Sequence, residues 1–421
     1  MPVTDPSNNS PSQGTPPSQG TPPANQNPPG GYPPSPSGSP PGSAYPPVPY
    51  QARPSGYNQA FWWVGGGCAL MAGMFLLLLV LAIIGSETGL LGLIVGMIVA
   101  LLPVPIYIML ALWLDRIEAE PPWMLAIAFF WGGSVSVFVS LLFNTINATI
   151  AASLFGPELG SVLGAVISAP IFEEGSKALI LFIFYFARKD EFDGIVDGIV
   201  YATMVALGFA MVENFLYYGR AIAGEGGAVA LTITFIMRGI VGPFAHPLFT
   251  SMTGIGLGWS RQTKNPAIRF LAPVIGLGMA MFLHGMWNLS ASIHGLLYIA
   301  VYILFMVPAF LIVLGVVAYS LKQEGAILRQ HLQPEVQSGL LTPTDVLQIS
   351  GVLSRLQNSF QALMRGGFGR WRTQTLYYQI ASELAFHRWR IEHGTQKADY
   401  KAAERERAYL QQLQALRGRL V

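Results

Sequence analysis

The sequence predicts an all-α protein, a polytopic bundle of about eight transmembrane helices with a proline-rich tail before it and a helical segment after it. Three observations carry that prediction. Only 11% of the 421 residues are charged, against roughly 25% in an ordinary soluble domain. Hydrophobic residues make up 52% of the chain. Between Phe61 and Leu321 they gather into stretches long enough to cross a bilayer, which takes about 20 residues. An ionised side chain at membrane depth costs on the order of 3 kcal/mol, which accounts for the scarcity of charge.

The first 60 residues read as a disordered tail. They hold 18 prolines and two charged residues, Asp5 and Arg53. Proline removes backbone donors, and few apolar side chains are present to bury. The segment lacks the basic and apolar regions of a signal peptide. The repeat PSQGTPPSQGTPP suits a solvated tail or a ligand for a proline-binding partner. The single cysteine, Cys68, makes an internal disulfide impossible.

Spans are expected at 61–85, 89–114, 123–150, 158–187, 195–218, 228–259, 269–294 and 297–321. Placing both termini in the cytoplasm puts Arg116, Arg188, Lys189, Arg261, Lys264 and Arg269 in inside loops and only Arg220 outside, as the positive-inside rule demands. Residues 322–421 change character, with 14 Lys and Arg against 8 Asp and Glu. They read as a helical cytoplasmic domain, with a helix start at Thr342-Pro343-Thr344-Asp345. The run RGGFGRWR within it suits a solvated basic face or contact with anionic headgroups. No feature points to a nucleic-acid partner, and the oligomeric state is not legible.

Four later spans carry polar groups near their middles: Glu173, Glu174 and Lys177; Glu213 and Asn214; Arg238, His246 and Thr250; His284 and Asn288. Glu173 lies 15 residues from Arg188, His246 15 from Arg261, His284 15 from Arg269 and Glu213 16 from Asp197. Each offset is about 22–24 Å along a helix axis, so all four sets share one depth. The pairs Glu173/Lys177, Phe209/Glu213, His246/Thr250 and His284/Asn288 are spaced i,i+4 and share a helix face. Gly175, Gly208, Gly242 and Gly285 are placed to let helices approach, and Pro243 and Pro247 to break the sixth span beside His246.

Imidazole and carboxylate suit Zn²⁺, with a further Glu free to deprotonate a bound water. Asn288 is placed to stabilise an oxyanion and Arg238 to hold a peptide carbonyl or carboxylate. Each group also has a structural reading: Glu173 with Lys177 as a buried ion pair, His246 and His284 as interhelix hydrogen bonders, Arg238 as a partner for Glu213. The rival function is an ion- or proton-coupled transporter. The first three spans do not repeat the motifs of the last four, which disfavours it.

In order along the chain, EEGSK, FAMVEN, Arg238 followed by HPLFT, and HGMWN resemble the PrsW family of intramembrane peptidases, within the wider CAAX-processing (Abi) group. The resemblance covers roughly residues 90–320 and extends to EPP at 120–122 and DGIVDGIVYA. It implies hydrolysis of membrane or membrane-proximal protein substrates, anti-sigma-factor-like regulators among them. Carried onto this chain, Glu173 or Glu174 is the base, Lys177 and Asn288 complete the catalytic set, Glu213, His246 and His284 are the metal or transition-state groups, and Arg238 binds substrate. The wider group has E-E-x-x-x-R and a His where this chain has Lys177 and Glu213.

Overall fold

The computed structural model describes residues 59–292, 296–394 and 396–420. Nearly all of the proline-rich tail expected at 1–60 lies outside the described residues. Every regular element among the described residues is helical, with no strand among them. The helices are α1 (Gln59–Leu101), α2 (Val104–Leu114), α3 (Pro122–Phe155), α4 (157–187), α5 (Ile195–Ala223), α6 (Gly227–Gln262), α7 (Pro266–Ser292) and α8 (Tyr298–His331). The short α9 (Gln333–Gln337), α10 (Pro343–Ser350), α11 (Val352–Glu392) and α12 (Tyr400–Leu420) follow.

Six helical stretches among the described residues are long and apolar enough to cross a membrane. The first, Gly66–Leu114, runs 49 residues. As one straight helix it would reach about 74 Å, far beyond a hydrocarbon core of about 30 Å. It is parted at Gly89, whose φ of 74° and ψ of 167° are not helical. That break falls where the sequence separates its first two expected spans. The 157–187 helix is also long enough to cross, but it carries Glu173, Glu174 and Lys177 within its apolar length.

α5 is the central helix. Its most apolar window is 78% buried, against 17% for the α1–α2 stretch and 11% for α6. Small residues make that possible: a Cβ on Gly208 would sit 1.9 Å from the Phe129 carbonyl oxygen of α3, and one on Gly198 2.1 Å from the Gly254 oxygen of α6. Backbones in such contact gain dispersion and exclude lipid. Gly285 likewise lies against the Val166 carbonyl, whereas Gly175 has only the tip of Met281 at 4.0 Å and makes no close helix approach.

α6 breaks at 242–244, as Pro243 predicts. Pro247 does not break it again, because it sits in the first turn of the resumed helix, where a missing N–H costs nothing. α3, α4 and α6 each contain a π-helical turn, at Gly132–Ser136, Gly164–Ser168 and Ile236–Val241. α8 outruns its expected end by ten residues, to His331. The boundary expected at 321/322 therefore falls inside a helix. No breaker interrupts it before Pro334, and Leu328 is buried in the core formed by α8–α12.

That second core gathers Leu328, Val346, Ile349, Tyr378, Leu384 and Leu413. It also takes in Ile117, from the loop after α2, which fastens residues 322–420 against the bundle. Arg390 of α11 ties the same loop to the next one, pairing with Glu118 and with Asp193 (2.8 Å).

Candidate active site

Glu174 is almost wholly enclosed on α4, at 1% exposure. It accepts hydrogen bonds from Lys177 Nζ (2.8 Å) on its own helix, from Thr250 Oγ1 of α6 (2.8 Å), and lies 3.0 Å from His284 Nδ1 of α7. Its neighbour Glu173 faces the same space from 5% exposure. Asn144 of α3 donates to Glu173 Oε1 at 3.3 Å, while Oε2 is buried with no hydrogen-bond partner. His284 Nε2 lies 3.7 Å from that Oε2.

His246 links this group to α5. Its Nε2 lies 3.0 Å from Glu213 Oε2, and its Nδ1 3.2 Å from Lys177 Nζ. An ammonium has no acceptor capacity, so Nδ1 carries the lone pair and Nε2–H donates to Glu213. Arg238 completes the chain, donating to Glu213 Oε2 (2.5 Å) and to Asn214 Oδ1 (2.6 Å) and stacking over the Tyr217 ring at 3.7 Å. Lys177 sits 3.8 Å over the Phe209 ring. The polar groups of α4, α5, α6 and α7 therefore meet at one depth, bridged by direct hydrogen bonds.

A cavity of ≈ 50 Å³ opens beside His246, bounded by Tyr107, Asn214, Arg238, Pro243 and Trp287. It reaches the site through the break in α6, where Gly242–Phe244 leave the helix. Tyr107 of α2 closes one wall by donating to the Gly239 carbonyl at 2.8 Å.

The structure brings Glu173, Glu174, Lys177, Glu213, Arg238, His246 and His284 into one network and leaves Asn288 out. The Asn288 amide donates to the Ala165 carbonyl at 2.9 Å, one turn along α7 from His284. Tyr217 of α5 is the platform under Arg238. Asn144 was missed, because FNTINATI offers three amide or hydroxyl residues within four positions and nothing in the string says which turns inward.

One ligand atom each from Glu173, His246 and His284 lie within 4.8 Å of one another. The expected set had Glu213 as the carboxylate; in the structure its oxygen is committed to Arg238 and His246. Three features fit a cation among Glu173, His246 and His284. Glu173 Oε2 has no hydrogen bond, only an ion-pair contact with Lys177 Nζ at 3.7 Å. His284 donates from Nδ1 to Glu174, which leaves the Nε2 lone pair facing that oxygen. Carboxylates that fix the far nitrogen of a histidine, as Glu174 and Glu213 do here, are the usual outer partners of metal-binding imidazoles.

Residues 120–313 match the profile described as "PrsW family intramembrane metalloprotease". Over that stretch the chain is similar to PrsW-family membrane peptidases. The chain is 29% identical over 180 residues to Protease PrsW of Clostridioides difficile, covering 43% of this chain and 72% of that protein. It is 29% identical over 174 residues to that of Geobacillus kaustophilus (41% and 69%), and 28% identical over 195 residues to that of Bacillus subtilis (46% and 81%). No solved structure matches the chain. The PrsW match runs from Glu120, in the loop before α3, into α8 and contains every member of the polar network. Nothing in these comparisons supports the transporter alternative.

Proposed function

We propose that this chain hydrolyses peptide bonds of membrane-spanning or membrane-proximal proteins, anti-sigma-factor-like regulators included, at the Glu173–His246–His284 cluster. The observation that carries this reading is the setting of Glu173: its Oε2 is buried without a hydrogen bond, 3.7 Å from both Lys177 Nζ and His284 Nε2, and its carboxylate gathers with the imidazoles of His246 and His284 within 4.8 Å. Glu173, His246 and His284 would hold a divalent ion, with Zn²⁺ the best suited to two imidazoles and a carboxylate. Bound there, the ion would supply Lewis acidity and lower the pKa of a coordinated water.

The other residues have separate tasks. Glu174 spends its oxygens on Lys177, Thr250 and His284, so it orients them. Glu213 fixes the tautomer of His246. Lys177 and Arg238 supply positive charge for an anionic tetrahedral centre, and Arg238 borders the cavity by which a substrate backbone would arrive. Packing α4 and α7 against α5 and α6 buries Glu173, Glu174, Lys177 and His284, while the Arg238 side chain stays 25% exposed beside the cavity.

Both termini are placed in the cytoplasm, on the strength of the Lys and Arg distribution. The polar level then lies about 22 Å from the cytoplasmic boundary charges and roughly 8 Å from the outer face. The break in α6 is on the outer side of His246. The scissile bond is expected in the outer third of a substrate's span or just outside it.

The test pairs metal analysis of the purified protein with a search for membrane proteins that lose a cleavage product on deletion. Complementation with Glu173→Gln should fail to restore the product, and the new N-terminus of the cleaved substrate should map to the outer side. Full restoration by Glu173→Gln would remove this mechanism, and a cytoplasmic cut would overturn the topology.

A further inference from the structure

α11 is a helical hairpin. Gly367, with φ of 66° and ψ of −168°, separates a first arm at 352–366 from a returning arm at 368–392. Cross-arm bonds fix the antiparallel register: Arg355 to Ser382 Oγ at 2.6 Å and Asn358 to Tyr378 at 3.0 Å. The first arm buries Arg355 and Ala362 inward. Its opposite side exposes Leu353 (69%), Phe360 (60%) and Met364 (69%), with Leu356 and Leu363 between them. At about 100° per residue these five fall within one arc of about 100°, the width of an amphipathic stripe. Phe368 and Trp371 pair at the tip, 5.1 Å apart.

We infer that the first arm and tip of this hairpin lie on the adjacent membrane surface and bind anionic lipid headgroups. Height is the first argument. Arg355 donates to the carbonyls of Arg116 (2.7 Å) and Ile117 (3.4 Å), just past the last residue of α2. A Cβ on Gly325, four residues past the apolar end of the last span, would touch the Ser350 carbonyl at 2.7 Å. The arm therefore begins at the level where two spanning helices leave the bilayer.

Charge is the second argument. Between Asp345 and Glu383 there is no acidic residue, and the basic ones are Arg355, Arg365, Arg370 and Arg372. Arg355 is spent internally; the other three are exposed, Arg370 also donating to the Leu420 carbonyl at 3.2 Å. An apolar stripe with only basic flanks and an aromatic tip suits an anionic bilayer surface. A second copy of the hairpin would bring two sets of arginines together. The arm, about 22 Å long, is too short to span.

The test uses the full-length protein carrying Cys68→Ala and Phe360→Cys, labelled with an environment-sensitive fluorophore and placed in nanodiscs. The discs contain phosphatidylcholine alone or with about one-third phosphatidylglycerol. In anionic discs, spin-labelled lipids should quench the probe and iodide should reach it at least about 3-fold less than in neutral discs. The triple variant Arg365→Gln, Arg370→Gln, Arg372→Gln should lower the bound-to-free ratio by about 10²-fold, roughly 5-fold per charge. High salt should do the same to the unaltered arginines, with no risk to folding. A probe at Tyr400→Cys, on α12, should stay open to iodide throughout. Equal iodide access in both discs would overturn the inference. So would shielding that follows protein density instead of lipid charge, which would mark the stripe as a protein interface.

Discussion

At membrane depth, Glu173 and Glu174 are 5% and 1% exposed; at the edge of the bundle, Asp115 and Glu120 are both 5% exposed. Burial does not distinguish the two pairs, but their partners do. Both Asp115 oxygens accept from the Glu120 amide (3.1 and 3.0 Å), and Glu120 accepts from the Tyr201 hydroxyl of α5. Those bonds close locally and tie the α2–α3 loop to the central helix. Burial raises the Asp115 carboxyl well above its ordinary range, and it does the same to Glu120, where the charge of Asp197 adds to the effect. The deep pair is tied to Lys177, Thr250 and His284 on three helices, and Glu173 Oε2 has no hydrogen bond, only 3.7 Å contacts with Lys177 Nζ and His284 Nε2. A buried carboxylate becomes a reaction site through an unfilled valence facing other ligands, not through burial itself.

The largest expected effect tests that distinction directly. Glu173→Gln keeps shape and should cost about 10²-fold or more in cleavage, because the ion that would activate the water loses its carboxylate ligand. Glu120→Gln, equally buried, should leave cleavage within a few-fold. A dead Glu120→Gln variant that is folded and inserted would erase the contrast.

Metal content sharpens it next. His284→Ala should fall below about 0.1 ion per chain, and a strong chelator should inactivate the parent until Zn²⁺ is restored. Glu120→Gln should retain its ion. An active parent without metal would point to a mechanism resting on the glutamates alone.

Arg390→Ala probes the edge. It removes charge-assisted bonds to Glu118 and Asp193, each contributing about 2 kcal/mol, and should expose residues 322–420 to limited proteolysis while the deep site stays assembled. Glu213→Gln, which disturbs the orientation of His246 and not the cluster itself, should weaken metal affinity by about 10-fold.

The smallest effects concern the edge acids. Their folded pKa values are raised, so the folded state holds their protons more tightly than the unfolded chain. Their contribution is complete below about pH 4 and is lost as pH climbs through the raised values. The melting temperature of the purified protein should fall with rising pH across that window, and Tyr201→Phe should cost about 1 kcal/mol. A melting temperature that rises over the same interval would contradict the assignment.

The sequence alone determined the membrane class, the ordering of the motifs and the common depth of Glu173, Glu213, His246 and His284, because rise per residue is fixed once a helix is granted. The Gly89 and Gly367 breaks were not equally legible. Gly89 coincides with a polar gap between two apolar runs, whereas Gly367 lies between two other glycines, Gly366 and Gly369, and either side of it can continue a helix. Partner choice at the site belonged to the tertiary structure. Glu213 and Glu173 share one depth, and only the packing of the helices decides that Glu213 meets Arg238 and His246 while Glu173 Oε2 is left without a hydrogen bond. The packing of α3 on α4 turns Asn144 toward the site, and that of α7 on α4 turns Asn288 toward Ala165. Periodicity assigns each residue a height and a face on its own helix; the angle of that face to its neighbours is set by where small residues such as Gly198, Gly208 and Gly254 let backbones touch.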